Sequence, residues 1–233
     1  MQELFSVFIE SSLSTERLEA YRRYPGERSF DALLRYLWNT ELCTSFYPLL
    51  QHLEVALRNA MHTALSEKFE TEWWFDTPGP LDSYQSNQIA KAKDKITRRA
   101  EKETPGKVVA ELEFGFWTAL LHPRYRNTLV PPLMKKAFSE VAQISRKAKR
   151  GFVSESLNEI RIFRNRIFHH EPVWYFEDLH KKHNLILQFI LWLNPSLFKV
   201  TLLMDKFPEI YGAGTLPFKE PLLSLTTQGL FRR

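Results

Sequence analysis

Cysteine and glycine are scarce in this chain, and each scarcity narrows the possible folds. The one cysteine, Cys43, cannot form an intramolecular disulfide or a thiolate zinc site by itself. It lies in an apolar stretch, which favours a small buried side chain over a nucleophile. Only 8 of the 233 residues are glycine. Because tight hairpin turns depend on glycine, this scarcity favours helices over strands.

Long apolar runs are also missing. The longest, residues 185–193, is interrupted by Gln188, whereas a bilayer span needs about 20 residues, so we expect this run in a core helix. The first ten residues have neither the basic segment nor the long apolar segment of a secretory signal. These patterns predict a cytoplasmic protein without a membrane partner.

The composition is that of a globular protein with a basic bias. Hydrophobic residues make up 44% of the chain, charged residues 25%, and the formal net charge is +5. A positive balance favours anionic partners, and nucleic acid is the first of these. Apolar residues recur at helical spacing and no strand pattern is convincing, so the predicted fold class is all-α.

Proline, glycine and capping residues divide the chain into predicted helices. A short helix is expected after Ser14, which has the side chain of an N-cap. Further helices are predicted from Asp31, from a point near Pro48, and over residues 88–103, 108–121 and 133–144. Residues 147–151 are predicted to be a basic connection.

The last predicted helices flank a histidine-rich segment. Ser154 or Ser156 is expected to cap a helix that ends near His169, because Pro172 disfavours helix at the residue before it. Asp178 is expected to cap a long helix that ends before residue 194. The tail from residue 207 onward contains several prolines and glycines, and we predict no firm structure for it.

The helix that ends near His169 carries the most informative side chains. Its predicted buried stripe consists of Leu157, Ile160, Phe163, Ile167 and Phe168. Arg164 falls inside the same arc, where an arginine is costly unless it is paired or lines a cleft. Asn165 and His169 are four residues apart and share the neighbouring edge. The pattern therefore predicts a guanidinium, an amide and an imidazole near the end of one helix.

These three groups suit cleavage of RNA without a metal. An imidazole gives and takes protons near neutral pH, which activation of the 2′-hydroxyl and protonation of the leaving 5′ oxygen both require. A guanidinium binds a phosphate through two hydrogen bonds and stabilises its developing charge. The spacing alone leaves a structural alternative open, in which Arg164 pairs with a core carboxylate and His169 caps the helix.

Residues 164–174 extend this pattern into a recognisable motif. The sequence Arg164-Asn165-x-x-x-His169, continued by His-Glu-Pro-Val-Trp, resembles the RNxxxH signature of the HEPN superfamily and, more narrowly, the Abi-like proteins of bacterial abortive infection. Residues 53–59 resemble the first long helix of that family, and residues 112–121 resemble its central helix. The resemblance spans a core of about residues 30–195 within a single domain over residues 1–233.

The resemblance implies a HEPN-type helical bundle with additional flanking helices. It implies an endoribonuclease that needs no metal and no cofactor, and that works as a homodimer with one composite cleft. His169 would then transfer protons, Arg164 would hold the scissile phosphate, and Asn165 would orient the histidine or the phosphate. It also implies a toxin-like role in phage defence, held in check by an antitoxin, a regulatory RNA or a covalent modification.

Neighbouring polar residues leave several assignments open. His170 is the alternative to His169 as the proton-transfer residue. Glu54 either pairs with Arg164 or tunes His169, or it forms a plain intrahelical pair with Arg58 beside a surface histidine, His62. His180 and His183 lie three residues apart, but no carboxylate or cysteine is spaced to complete a zinc site, so no metal is predicted.

Two basic clusters are candidate tracks for an RNA backbone. The first lies on one helix and consists of Lys91, Lys93, Lys95, Arg98, Arg99 and Lys102, and the second consists of Arg146, Lys147, Lys149 and Arg150. The predicted contacts with the RNA backbone are Lys91, Lys95, Arg98, Arg99, Lys147 and Arg150. Such runs are otherwise solvated faces. Trp73 and Trp74 either stack on bases or belong to the core. Two rival functions stay open beside the ribonuclease: a non-catalytic RNA-binding or protein-interaction module, and a nucleotide-responsive regulatory subunit.

Overall fold

Over the described residues, the fold consists of helices joined by turns and loops. The structure is a computed structural model that describes residues 9–141 and 146–227, with the backbone alone at 146–148 and 226–227. Over these residues there are helices and no strands, which confirms the predicted all-α class. Within the same residues, no helix has the length and apolar character needed to cross a membrane.

Eleven helices are numbered here along the described part of the chain. They are α1 (Thr15–Glu19), α2 (Ser29–Phe69), α3 (Ser83–Arg98), α4 (Pro105–Glu111), α5 (Phe114–Ala119), α6 (Val130–Lys136), α7 (Arg146–Phe168), α8 (Leu179–Leu193), α9 (Pro195–Met204), α10 (Phe207–Ala213) and α11 (Leu216–Thr227). Residues 9–13 are also helical. Short 3₁₀ turns cover Trp74–Asp76 and Pro123–Tyr125.

The helix α2 is one continuous element of 41 residues with Pro48 inside it. The prediction of two helices, with Pro48 near the start of the second, is therefore wrong. A proline removes one backbone donor and crowds the carbonyl four residues earlier, which is a local cost. Phe46, Leu49 and Leu50, on both sides of the proline, are buried. We infer that this burial outweighs the local cost and keeps the helix continuous.

Several other helix boundaries differ from the predicted ones. The helix predicted over 88–103 is α3, which begins at Ser83 because the Asp82 side chain accepts a hydrogen bond from the Gln85 backbone and caps it. The helix predicted over 108–121 is two short helices, α4 and α5, that are separated at residues 112–113. The helix predicted over 133–144 is α6, which ends at Lys136, and part of the predicted range lies outside the described residues.

Two larger segments were predicted wrongly. Residues 147–151 are helical and belong to α7, so Ser154 and Ser156 lie inside this helix and do not cap it. The tail from residue 207 holds α10 and α11. In contrast, the Ser14 cap of α1 is confirmed, because its hydroxyl oxygen accepts a hydrogen bond from the Arg17 backbone N–H at 3.2 Å.

The described chain divides into two compact units. The first takes residues 9–49, 164–183 and 204–227. One buried apolar cluster of this unit consists of Leu18, Tyr21, Phe30, Ala32, Leu33, Leu34 and Leu222. Arg35 and Glu27 form an ion pair in this unit, with both side chains only 8% exposed, and the Arg35 guanidinium lowers the pKa of the Glu27 carboxyl. A buried charge is tolerated only with such a partner.

The second unit takes residues 50–141, 146–163 and 184–203. Its most deeply buried large side chains include Leu53, Leu57, Trp74, Phe116, Trp117, Leu157, Phe163 and Phe189. The indole rings of Trp74 and Trp117 lie 6.5 Å apart. Aromatic side chains therefore supply much of the apolar surface that this unit buries.

Candidate functional site

The helix α7 ends in a defined capping motif at the predicted site. His170 has a left-handed backbone with φ of 57°. Its N–H donates to the Ile167 carbonyl at 3.0 Å, and the Glu171 N–H donates to the Arg166 carbonyl at 2.8 Å. These two bonds form a Schellman motif, which usually has glycine at the left-handed position. The predicted helix end near His169 is confirmed, since α7 ends at Phe168.

The three signature side chains emerge in the last turns of α7. Arg164 and Asn165 are partly exposed, and His169 is exposed directly after the helix. The His169 backbone N–H donates to the Asn165 carbonyl at 2.9 Å, so the two residues lie about one helical turn apart. Among the described residues, the imidazole of His169 has no hydrogen-bond or ring partner.

The predicted buried stripe of α7 is correct for four residues and wrong for one. Leu157, Ile160, Phe163 and Ile167 are all buried, with exposures of 2% or less. Phe168 is 39% exposed. The Arg164 guanidinium carbon lies 4.1 Å from the centre of the Phe168 ring, and the Tyr47 ring meets that ring edge-on at 5.0 Å. Phe168 thus supports the signature arginine instead of filling the core.

Arg166, between the signature residues, ties the helix end to the loop that follows. Its Nη2 donates to the Pro172 carbonyl at 3.2 Å and to the Tyr175 hydroxyl at 2.9 Å. Its Nη1 lies 3.4 Å from a Glu171 carboxylate oxygen, and its guanidinium lies over the Phe176 ring at 5.1 Å. Nothing in the sequence predicts this role, because the partners of Arg166 are set by the path of the loop.

Asn39 of α2 holds the same loop from the other end. Its side chain is buried, and its Oδ1 accepts hydrogen bonds from the backbone N–H groups of Val173 at 2.7 Å and Trp174 at 3.1 Å. Its Nδ2 donates to the Tyr21 hydroxyl at 3.2 Å. The Val-Trp end of the motif is therefore a backbone anchor. No signal in the sequence links Asn39 to residues 173 and 174.

His170 is joined to the N-terminal region through its backbone. Its carbonyl accepts a hydrogen bond from the Arg17 guanidinium. Its side chain is exposed, and its left-handed backbone makes it the strained member of the histidine pair. The structure places both His169 and His170 at the helix end, so the choice between them stays a prediction.

The secondary candidates Glu54 and Arg58 lie on α2 within the second unit. Arg58 donates from Nη1 to the Ala110 carbonyl at 3.3 Å. The predicted pairing of Glu54 with Arg164 stays a prediction. His62 was expected to be a surface histidine, but it is partly buried, and its Nδ1 accepts a hydrogen bond from the Trp74 indole N–H at 3.0 Å. Burial lowers the pKa of His62.

Some basic side chains of α3 and of the residue after it pair with carboxylates, and others do not. Arg98 pairs with Asp94 at 2.7 Å, and Arg99 pairs with Glu111. Lys91 and Lys95 are exposed and have no side-chain partner among the described residues. The second cluster is less complete, since the Lys147 side chain lies outside the described residues, while Arg150 is partly exposed. Contact of these residues with RNA stays a prediction.

The remaining histidine, cysteine and tryptophan candidates have structural partners. His183 Nε2 lies 2.8 Å from an Asp205 carboxylate oxygen, and the His180 ring lies against the Tyr211 ring at 4.4 Å. Over the described residues, no group of three or more histidine, cysteine or acidic side chains has the geometry to hold a metal ion. Cys43 is buried as predicted, and burial raises its pKa to about 11.

The tryptophan pair is divided between two environments. Trp74 is fully buried, which confirms the core alternative for this residue. Trp73 is partly exposed, and the Lys93 ammonium lies 5.2 Å from the centre of its ring. Lys93 also pairs with Asp76 at 2.7 Å, so this cation is already engaged within the protein.

Together, the fold and this site define an all-helical protein with an Arg-Asn-x3-His segment at the end of one long helix. The family model described as Abi-like protein matches residues 5–175, which is well over half of the chain. The chain therefore belongs to the Abi-like protein family. No curated protein and no solved structure matches it. Membership of this family points to a role in abortive-infection defence.

Proposed function

We propose that this protein is a metal-independent endoribonuclease of the HEPN type, which acts as a toxin-like effector in abortive infection. The observation that carries the proposal is the arrangement of Arg164, Asn165 and His169 at the end of α7. All three are at least partly exposed, and the His169 imidazole has no partner among the described residues. The arrangement has the groups that transfer of an RNA phosphate requires.

In this proposal the 2′-hydroxyl of the substrate is the nucleophile. A histidine takes its proton, the 2′ oxygen bonds to phosphorus, and the bond from phosphorus to the 5′ oxygen breaks. A second histidine donates a proton to that leaving oxygen, so the products are a 2′,3′-cyclic phosphate and a 5′-hydroxyl. Arg164 binds the phosphate and stabilises its developing charge. Asn165 orients the histidine or the phosphate.

The proposed reaction needs an acid and a base, and each chain carries one His169. Two chains that bring the ends of their α7 helices together supply both histidines and two arginines to one cleft. We therefore propose a homodimer with a composite site, in the cytoplasm. An antitoxin or a regulatory RNA that covers this cleft would hold the activity in check before infection.

Cleavage of single-stranded RNA is the direct test. Wild type and His169→Ala are incubated with end-labelled RNAs in excess EDTA, and the products are separated on a denaturing gel. We expect cleavage by wild type alone, with 2′,3′-cyclic phosphate ends. Arg164→Lys keeps the charge but loses the two-pronged geometry, so we expect it to cleave at least tenfold more slowly than wild type.

A non-catalytic RNA-binding module is the second candidate. The exposed Lys91 and Lys95, which have no carboxylate partner among the described residues, favour it. RNA binding without cleavage by folded wild type and by His169→Ala alike would contradict the ribonuclease proposal and support the module. Binding of this kind weakens steeply with salt, and Lys91→Gln with Lys95→Gln should reduce that salt dependence.

A further inference from the structure

A cavity of about 400 Å³ lies in the first unit beside the end of α7. Its lining includes Arg17, Tyr21, Tyr36, Asn39, Tyr47 and His170. Small-molecule sites in proteins have volumes of roughly 300–1,000 Å³, so the space is large enough for a small planar group. Thr40 and Thr44 of α2 also line it, and both are exposed, so they mark its opening to solvent.

The interior of the cavity presents donors that lack acceptors. Tyr21 is buried and its hydroxyl oxygen accepts from Asn39, but its own proton has no acceptor among the described residues. Burial raises the pKa of Tyr21 to about 12, so the hydroxyl keeps that proton. Arg17 uses one guanidinium nitrogen on the His170 carbonyl. Its other N–H groups have no acceptor among the described residues.

Aromatic rings form further parts of the cavity wall. Tyr36 meets the Tyr21 ring edge-on at 5.3 Å, and both Tyr36 and Tyr47 are partly exposed. Neither of their hydroxyl groups has a hydrogen-bond partner among the described residues. A planar ligand with hydrogen-bond acceptors on its edge matches these walls and donors. Nucleobases have a π-face that stacks on aromatic side chains and a polar edge that carries acceptors.

The cavity is connected to the signature residues through two direct contacts. Tyr47 touches the Phe168 ring, and that ring lies under the Arg164 guanidinium. His170 lines the cavity and follows His169 in the chain. A base held in the cavity would therefore belong to a nucleotide close to a phosphate bound at Arg164.

We propose that this cavity binds one unpaired nucleobase of the RNA substrate, next to the scissile phosphate, and so selects where the strand is cut. The proposal rests on the ribonuclease function proposed above, but it concerns binding, which is measured without cleavage. The Tyr21 hydroxyl and Arg17 donate to the edge of the base, and Tyr36 or Tyr47 contacts its face. The cavity holds one base, so the preference is for a single position in an unpaired strand.

The test uses a short, fluorescently labelled 2′-O-methyl oligonucleotide, which cannot be cleaved because its 2′ oxygen is blocked. Its binding to the full chain is followed by anisotropy. Thr44→Trp places a large side chain at the cavity opening. Thr63→Trp is the matched control, because Thr63 is exposed on the same helix and does not line the cavity. We expect Thr44→Trp to weaken binding about tenfold or more, in line with the loss of one stacked base, and the control to bind like wild type.

Abasic substitution locates the bound base. One nucleotide of the oligonucleotide at a time is replaced by an abasic unit. We expect one position at which wild type loses about tenfold in affinity and Thr44→Trp loses no more. If Thr44→Trp does not fold, Thr40→Trp at the same opening replaces it. Equal binding by the cavity variant and the control, no sensitive abasic position, or no binding of any oligonucleotide by wild type would each overturn the proposal.

The failure of this proposal is distinguishable from failure of the ribonuclease proposal. Oligonucleotide binding that depends on the cavity, with no cleavage of ordinary RNA, supports the base site and contradicts the ribonuclease proposal. Cleavage of RNA without cavity-dependent binding supports the ribonuclease proposal and contradicts the base site. A free nucleotide has the same base chemistry, so the four nucleoside monophosphates are titrated separately. Binding of a monophosphate that Thr44→Trp abolishes, with no change for the oligonucleotide, assigns the cavity to a free nucleotide and overturns the RNA assignment.

Discussion

At the scale of single residues, the two adjacent histidines differ in backbone conformation, and we propose different roles for them. His170 occupies the left-handed position of the helix cap, where an L-residue other than glycine is strained by roughly 1–2 kcal/mol. His169 precedes it, exposed and without a side-chain partner among the described residues. The helix cap alone would favour glycine at position 170. A role of the His170 side chain in lining the proposed base cavity would account for a histidine there.

Replacement of His170 by glycine tests the backbone strain at this position separately from the role of its imidazole in RNA cleavage. We expect His170→Gly to raise the free energy of unfolding by about 0.5–1 kcal/mol, since glycine adopts the left-handed conformation at little cost. Its RNA cleavage should stay within about tenfold of wild type, with the loss in KM, because the side chain belongs to the cavity and not to proton transfer. Urea unfolding and steady-state cleavage measure the two effects.

His170→Ala is the control for this substitution, because it removes the same imidazole and keeps the strained backbone. It should show no gain in the free energy of unfolding. If His170→Gly abolishes cleavage while His169→Ala retains it, the assignment of proton transfer to His169 is wrong, and His170 takes that role.

At the scale of elements, hydrogen bonds hold the end of α7 and the loop after it together. Arg166 donates to the Pro172 carbonyl and the Tyr175 hydroxyl from one side, and Asn39 accepts from two loop N–H groups on the other. Every loop contact of Arg166 lies within ten residues of it along the chain. The exposed signature residues thus stand on an element whose end is fixed, as a preorganised site requires.

Arg166→Met keeps the aliphatic part of the side chain and removes its hydrogen bonds. We expect it to lower the free energy of unfolding by about 1–3 kcal/mol, because the bonds come from a charged donor that is partly buried. Amide hydrogen exchange of residues 171–176 should become faster than in wild type. Both quantities are measured on the purified chain without RNA.

Arg161→Met serves as the matched variant on the same helix. Among the described residues, the Arg161 side chain bonds only to the Asn158 side chain within α7, at 2.9 and 3.2 Å. A contact of this kind is worth about 0.5 kcal/mol or less. Equal effects of the two substitutions on stability and exchange would show that Arg166 does not fasten the loop.

The sequence predicts the elements where local signals and tertiary packing agree. The end of α7 is placed within a residue, because Pro172 and the apolar spacing point to the same boundary. The prediction of no firm structure for the tail is wrong, because a proline in the first turn does not break a helix. Pro208 and Pro217 fall in the first turns of α10 and α11, where a backbone donor is not needed. Gly214 ends α10 with φ of 59°.

Of the candidate site, the sequence predicts the position of the signature side chains and not their supports. Arg164, Asn165 and His169 share one helix, so a helical wheel is enough to place them. Asn39 and Arg17 reach the same region through the folding of distant segments, and periodicity has no information about such contacts. The helical wheel predicts Phe168 in the core because it lies at the edge of the apolar arc. In the structure the Arg164 guanidinium stacks on its ring and the side chain is partly exposed.

At the scale of the whole molecule, the proposed chemistry depends on a second copy of the chain. One α7 end supplies one His169 and one Arg164, while the reaction uses an acid, a base and a phosphate-binding group. An inactive His169→Ala subunit should therefore also remove the activity of a wild-type subunit when the two mix. The mixed site holds one His169, and the proposed reaction uses two.

We expect wild-type protein mixed with an excess of His169→Ala to lose cleavage per wild-type subunit as the fraction of mixed dimers rises after subunit exchange. Sedimentation establishes the dimer, and cleavage is followed over the mixing ratio. Wild-type cleavage by a strictly monomeric protein, or unchanged cleavage per wild-type subunit in dimers shown to have exchanged, would rule out the composite site.

The wide separation of the contacting segments in the first unit has a consequence for the timing of synthesis. Asn39 accepts a hydrogen bond from Val173, which lies 134 residues later in the chain. The indole N–H of Trp38 donates to the carbonyl of Ile210, which lies 172 residues later. Residues as far as Ile210 must therefore leave the ribosome before this unit closes. Under the proposed function, the RNA-cutting site stays incomplete until those residues are made, which delays self-poisoning during translation.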